Sequence, residues 1–252
     1  MYLLSPHYEI IEKPNGRKLT RLIERVARDC YQSLDKIDGE SSDLRLVGHL
    51  IDGGHMAMIE FGHDIVVRFT SDRGFSHELV RHRVASFAQE STRYCNYNKD
   101  KFGGQISIID IPDDWLKMPD DASTRRARKL MLAVYELSEI NYNKLIEMGV
   151  PPEISRNVLP QGLRAIINIK ANPREWRHIF SLRCSKRAHP RMRELMTPLL
   201  HDVANEVPLV FDDLKEQFPL QLSTVAKTKM WFPGHAMDLN PNSKGYQYAD
   251  KE

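Results

Sequence analysis

The densest concentration of chemistry-bearing side chains in the 252-residue sequence is SHELVRHRVASFAQESTRY, residues 76–94. It holds His77, Arg81, His82, Arg83, Ser86, Gln89, Ser91 and Arg93, with only Glu78 and Glu90 as acids. Read as a helix from Ser76 to about Ala88, it sets His77 and Arg81 at i, i+4, and likewise His82 and Ser86. Leu79, Val80, Val84, Ala85 and Phe87 supply an apolar side. The pattern therefore predicts the Arg-His-Arg triplet at the edge of a packed helix, partly shielded from water. Guanidinium groups so placed hold phosphates or carbonyl oxygens through forked, charge-assisted hydrogen bonds. Beyond it Gln89, Ser91 and Arg93 alternate, which in an extended chain puts three polar side chains on one face. An arginine-rich stretch is more commonly a solvated helix face. The shortage of acids and the Ser91-Thr92-Arg93-Tyr94 run argue instead for binding.

Elements must position these groups. Residues 2–11 read as a strand closed by the Pro14-Asn15-Gly16 turn. Leu19, Leu22, Ile23, Val26 and Ala27 have the spacing of an amphipathic helix over 17–34. A short helix follows from Asp43 and ends at Gly53-Gly54. Residues 63–70 are β-branched and aromatic and read as a strand. Residues 98–122, with Gly103-Gly104, two prolines and several aspartates, read as a loop or insertion. The clearest helix spans 122–148, with Leu130, Val134, Leu137, Asn141 and Leu145 on one face and Gly149 as its stop. Shorter helices are predicted at 152–158, 173–184 and 189–205, the last kinked at Pro198, with a strand at 163–170. The tail after Pro233 is polar. This is a mixed α/β (α+β), helix-rich pattern without regular strand–helix alternation. It predicts a single domain over 1–233 with a small antiparallel or mixed sheet, and a tail at 234–252.

The bulk properties narrow the function classes. A 41% hydrophobic content supports a real core, and a formal charge of +2 gives no global pull toward nucleic acid or an anionic membrane. No apolar run reaches membrane-spanning length, and the N-terminus lacks the order of a signal peptide. Cys30, Cys95 and Cys184 are scattered and form no CxxC pair, as expected of reduced thiols in a cytoplasmic protein. His55, His63, His77 and His82 lack HExxH-type spacing, so no metal site is expected. There is no glycine-rich dinucleotide or phosphate-loop motif.

RHRVASFAQES is an Arg-His-Arg followed by seven residues and a serine, and it continues into Arg93-Tyr94. This closely resembles the signature of flavin-dependent thymidylate synthases. Three further segments resemble that family in the same order. GHMAMIEF (54–61) keeps His55 and Glu60, while Ala57 and Phe61 replace a hydroxyl residue and a histidine. SRNVLP (155–160) supplies Arg156. ANPREWRHIFSLRCSKRAHPRMREL (171–195) supplies Asn172, Arg174 and Arg183, with His178 where some members have Asn and Arg187 where some have His. The resemblance covers roughly residues 15–210.

The resemblance implies reductive methylation of dUMP to dTMP, with methylenetetrahydrofolate as carbon donor and NADPH-reduced FAD as reductant. It implies a mixed α/β subunit and a homotetramer with sites shared between subunits. The tetramer would bury apolar helix surface between chains, for which 122–148 is a candidate. By carry-over, Arg183 polarises the pyrimidine. The dUMP site comprises Glu78, Arg81, Gln89, Glu90, Ser91, Thr92, Arg93, Arg156 and Arg183. Of these, Arg93 and Arg156 take the phosphate and Ser91 positions the ring. The FAD site comprises His55, Ala57, Arg81, His82, Arg83, Gln89, Asn172, Arg174 and His178. None of the three cysteines lies in a nucleophile arrangement, which suits chemistry carried by a flavin.

Three other classes remain open at this stage. A nucleic-acid module would rest on RHR, Arg125–Lys129 and the basic 183–193 stretch, and its binding would weaken steeply with salt. A related flavoprotein acting on another nucleotide would prefer a ligand other than dUMP. A histidine-based metalloenzyme would lose activity in strong chelator.

Overall fold

The computed structural model describes residues 1–98 and 104–220. The predicted tail lies outside the described residues. In chain order the elements are β1 (Tyr2–Leu4), β2 (His7–Ile10), α1 (Gly16–Cys30), α2 (Ser42–Asp52), α3 (Met56–Ile59), β3 (Ile65–Asp72), α4 (Arg73–Leu79) and β4 (Ser86–Gln89). They continue as β5 (Ser107–Ile109), α5 (Asp121–Glu147), α6 (Pro152–Ser155), β6 (Arg164–Ala171), α7 (Pro173–Arg183), α8 (Pro190–Glu206) and α9 (Asp212–Gln217). A four-stranded antiparallel sheet has the order β2-β3-β6-β4, and β1 pairs with β5 in a separate parallel ribbon. The mixed, helix-rich class and small sheet are as the sequence predicts.

The central pairing is β3 with β6, from Ile65 opposite Ala171 to Asp72 opposite Arg164. Val67 and Phe69 on β3 and Ile167 and Ile169 on β6 are fully buried, while Arg68 and Asn168 between them are not. This period-two alternation covers one face of the sheet with helices. α1 contributes Leu19, Ile23 and Ala27 to that core, and α8 contributes Met192, Leu195, Met196, Leu199, Leu200 and Val203. α7 joins through Trp176, fully buried, whose indole Nε1 donates to the Ile65 carbonyl at 3.0 Å. Each such large apolar side chain contributes about 1.5–3 kcal/mol by leaving water.

Several boundaries differ from the sequence reading, each for a physical reason. The predicted strand 2–11 is broken at Ser5-Pro6, because Pro6 has no N–H for a ladder, and its halves enter different sheets. α1 stops at Cys30, where positive φ at Gln32 turns the chain, short of the expected Leu34. The segment 98–122, of which 99–103 lie outside the described residues, is not wholly a loop over the rest. Its Ile106, Ile108 and Ile109 are buried, and the last two lie on β5. The helix expected over 76–88 ends at Leu79 and gives way to strand β4. The helix expected over 189–205 forms as α8, with Pro198 inside it.

Candidate active site

The site begins at the junction of β3 and α4, which follow each other without a loop. Asp72 ends the strand and caps the helix, its Oδ1 accepting the Phe75 N–H at 2.7 Å. Its other oxygen accepts from Arg191 Nε at 3.0 Å. Arg191 is 1% exposed, is also paired with Glu194, donates to the Asp110 carbonyl and lies over the Trp115 ring. The start of α8 is thereby bolted to the start of α4.

α4 presents His77 and Glu78 and stops at Leu79, so Arg81-His82-Arg83 occupies a turn and not a helix edge. The turn splits the triplet. Arg81 and Arg83 are exposed, and among the described residues they are held by no protein partner, whereas His82 is 4% exposed. The i, i+4 pairings expected of a helix do not form. On the inner side, Arg183 at the end of α7 donates from Nε to His82 Nε2 at 3.0 Å. It also donates to Glu78 Oε2 and to the Glu78 carbonyl, both at 2.8 Å. Three of its five N–H donors are thus committed, and two remain for a ligand. Because Arg183 Nε can only donate, the His82 Nε2 that meets it carries a lone pair and the ring is neutral. Burial first, then the charges of Arg183 and His178, push the His82 pKa down to about 4, which agrees. The His178 ring stands edge-on to His82, with centroids 5.7 Å apart, and Glu175 Oε1 lies 3.6 Å from His82 Nδ1.

β4 pairs with β6 and carries Gln89, whose amide donates to Ser76 Oγ at 3.1 Å. The chain leaves the sheet after Glu90, whose N–H still reaches the Ile166 carbonyl. Ser91–Tyr94 is a turn, its serine Oγ accepting the Arg93 N–H. Gln89, Ser91 and Arg93 therefore do not line one strand face, contrary to their alternation. The turn is instead joined by α6 and the residues after it. Arg156 donates to Thr92 Oγ1 at 3.2 Å, and Arg93 pairs with Glu153 at 3.5 Å. Arg93 and Arg156 are exposed, so both guanidinium groups are open to an anion. Glu90 is nearly buried and pairs with Arg164 through Oε1 at 3.1 Å, while its Oε2 is a buried acceptor without a partner.

The remaining expected residues divide in two. Asn172 caps α7, accepting the Glu175 N–H at 2.9 Å, and Arg174 pairs with Glu60 at the surface. His55 and Ala57 lie apart from the Arg183 cluster, on an open cleft of about 450 Å³ between α1, α2 and α3. Arg28, Lys36, Tyr31, Leu50 and Met58 also line it. The unengaged forks of Arg81 and Arg83 fit the pyrophosphate of a flavin. Sequence reasoning missed Glu175 and Arg164. Glu175 stands three residues after a helix-capping asparagine, a pattern whose ordinary meaning is local capping.

Comparison with known proteins fits this geometry. The sequence pattern of the family described as "Thymidylate synthase complementing protein" matches residues 15–209. The chain is 31% identical over 194 residues to a flavin-dependent thymidylate synthase of Geobacter sulfurreducens, covering 75% of this chain and 78% of the relative. It is 28% identical over 197 residues to the enzyme of that name from Corynebacterium glutamicum, covering 77% and 79%. In fold it is similar to PolB from Streptomyces cacaoi, a UMP/dUMP methylase with bound 5-Br dUMP. The TM-score is 0.71 at 19% identity, over 86% of this chain and 98% of that one.

Proposed function

Because this chain belongs to the thymidylate synthase complementing protein family, that of the flavin-dependent thymidylate synthases, we propose that it converts dUMP to dTMP. In this reading methylenetetrahydrofolate is the carbon donor, FAD the cofactor and NADPH the source of reducing equivalents. The observation that carries the reading is the restrained Arg183, a permanent cation with two N–H donors to spare. Placed against the uracil carbonyl and N3, it draws electron density through the ring and raises reactivity at C5. Being held before the substrate arrives, it acts without reorganisation. Arg93 and Arg156 take the phosphate, and Ser91 with Gln89 orients the pyrimidine between them and the flavin. Glu78 holds Arg183 from behind, and Glu90 pairs with Arg164 beside the Ser91–Tyr94 turn. Arg81 and Arg83 hold the flavin's phosphates, and His55, Ala57, Asn172, Arg174 and His178 complete its surroundings. Both ring nitrogens of His82 face protein groups, so His82 meets the flavin through its backbone. When bound, the flavin supplies the redox chemistry for which this chain has no side chain.

The same reading includes a cytoplasmic homotetramer with shared sites. It is supported by the solvent-facing apolar stripe on α5 and by three cysteines that form no disulfide among the described residues. Among the described residues no helix is long and apolar enough to cross a membrane. The experiment incubates the protein with dUMP, methylenetetrahydrofolate and NADPH, with and without FAD, and quantifies dTMP. Flavin- and NADPH-dependent dTMP is expected. A folded, FAD-binding protein that makes none, or that methylates UMP in preference, overturns the reading.

A further inference from the structure

We infer that Glu175 is a positioning residue: through His82 it favours the proton on Nδ1, leaving Nε2 bare to accept from Arg183, and so helps hold the Arg183 guanidinium in its working orientation. This rests on the reading of Arg183 as the uracil-side cation.

Arg183 Nε carries a hydrogen and no lone pair, so its 3.0 Å contact requires His82 Nε2 to be an acceptor. The neutral ring must then carry its proton on Nδ1. Free imidazole side chains in water favour the opposite tautomer, with the proton on Nε2. In that form two N–H groups would confront each other, and Arg183 would lose the bond that fixes its Nε edge. Something must favour Nδ1–H.

The group facing Nδ1 is Glu175, whose Oε1 is 3.6 Å away. That is longer than a hydrogen bond. Yet the two side chains are only 3% and 10% exposed, so the carboxylate acts across little water and stabilises a proton on the nearer nitrogen. Arg183, donating to Nε2, favours the same tautomer from the other side of the ring. Arg183 and His178 both disfavour added positive charge on the ring, and Glu78 lies beyond Arg183, against its NH1. They keep the ring neutral, and Glu175 is the carboxylate that faces its Nδ1.

Glu175 is itself prevented from moving away. Its N–H is held by the Asn172 cap, and its neighbour Trp176 is fully buried and bonded to β3. Glu175 and Arg183 lie on α7 eight residues apart, about 12 Å along the axis at 1.5 Å per residue. His82 bridges them from the facing turn. The helix that carries the working arginine thus also carries the acid that fixes it.

The test uses the full-length holoenzyme with Glu175→Leu and Glu175→Gln. Histidine-labelled protein is examined by nitrogen-15 NMR to read the His82 tautomer, beside flavin content and the kcat and KM for dUMP. In the unaltered protein Nδ1 is expected to be protonated and Nε2 bare. In Glu175→Leu the proton moves to Nε2 and kcat falls by about tenfold or more at unchanged flavin content, as expected for a displaced reacting-centre cation. Glu175→Gln, which keeps an acceptor oxygen, recovers the Nδ1–H tautomer and most of the rate. An Nε2–H tautomer in the unaltered protein overturns the inference without any variant. Equal losses in the Leu and Gln variants, or a leucine variant with unchanged tautomer, overturn it as well. Failure to make dTMP would refute the functional reading, whereas the tautomer still judges Glu175.

Discussion

Arg183 concentrates the residue-scale chemistry, because its neighbours take three of its hydrogens and leave two. Removing it by Arg183→Ala is expected to lower turnover by about 10²–10³-fold, as with other pre-positioned donors, while FAD stays bound. Steady-state rates and flavin absorbance check this, and near-normal turnover would refute the role. Arg183→Lys keeps the charge and loses the fork, so it should restore little of the rate. His82 carries a second prediction, about pH. Its folded pKa of about 4 lies below the ordinary 6.5, so below pH 6.5 the unfolded chain binds the extra proton and the folded chain resists it. Its contribution is therefore complete above pH 6.5 and is lost as pH falls toward 4. The loss is on the order of 3 kcal/mol from the size of that shift. Urea titrations across that window should show a steeper acid loss than in His82→Gln, and equal slopes would contradict the assignment.

At the scale of elements, the decisive joint is between the starts of α4 and α8. Arg191 is enclosed among Asp72, Glu194 and the Asp110 carbonyl, so Arg191→Met leaves two carboxylates without their cation. A loss of about 3–5 kcal/mol is expected from breaking a buried pair in this way, measurable by chemical denaturation. Looser holding of Arg183 should accompany it, since Asp72 caps the helix that bears Glu78. Helix-scale order of this kind was only partly legible in the sequence. α1, α5, α7, α8, β3 and β6 follow from periodicity and end signals, because long elements repeat their pattern often enough to be read. β5 has three residues, too few for any period, and its burial comes from pairing with β1. α4 ends at Leu79 although an apolar pattern continues, because β4 finds a partner in β6 that no local feature of 86–89 announces. Among the site residues the types were legible in the motifs and the contacts were not. Glu78 and Arg183 are 105 positions apart, and nothing near either one points to the other.

For the whole molecule, the telling surface is α5. Its one buried residue is Tyr142, while Leu130, Val134 and Leu137 are 66%, 58% and 58% exposed on the single chain. An apolar stripe of that kind is the surface that the proposed assembly would cover with another chain. Leu130→Glu with Leu137→Glu should leave the fold of each chain intact and shift the assembly toward smaller species in sedimentation velocity. An unchanged assembly would assign the interface elsewhere. The β3–β6 pairing has a consequence in time. The two strands that carry the site are separated by α4, β4, β5, α5 and α6, so a large loop must close before either meets its partner. Local helices can form early, yet the proposed nucleotide site has no precursor and appears only when that closure succeeds. A nascent chain must wait, with the Val67 and Phe69 edge uncovered, until Arg164–Ala171 has left the ribosome. Until then an unpaired strand edge stands open, the kind of surface on which partly made chains aggregate.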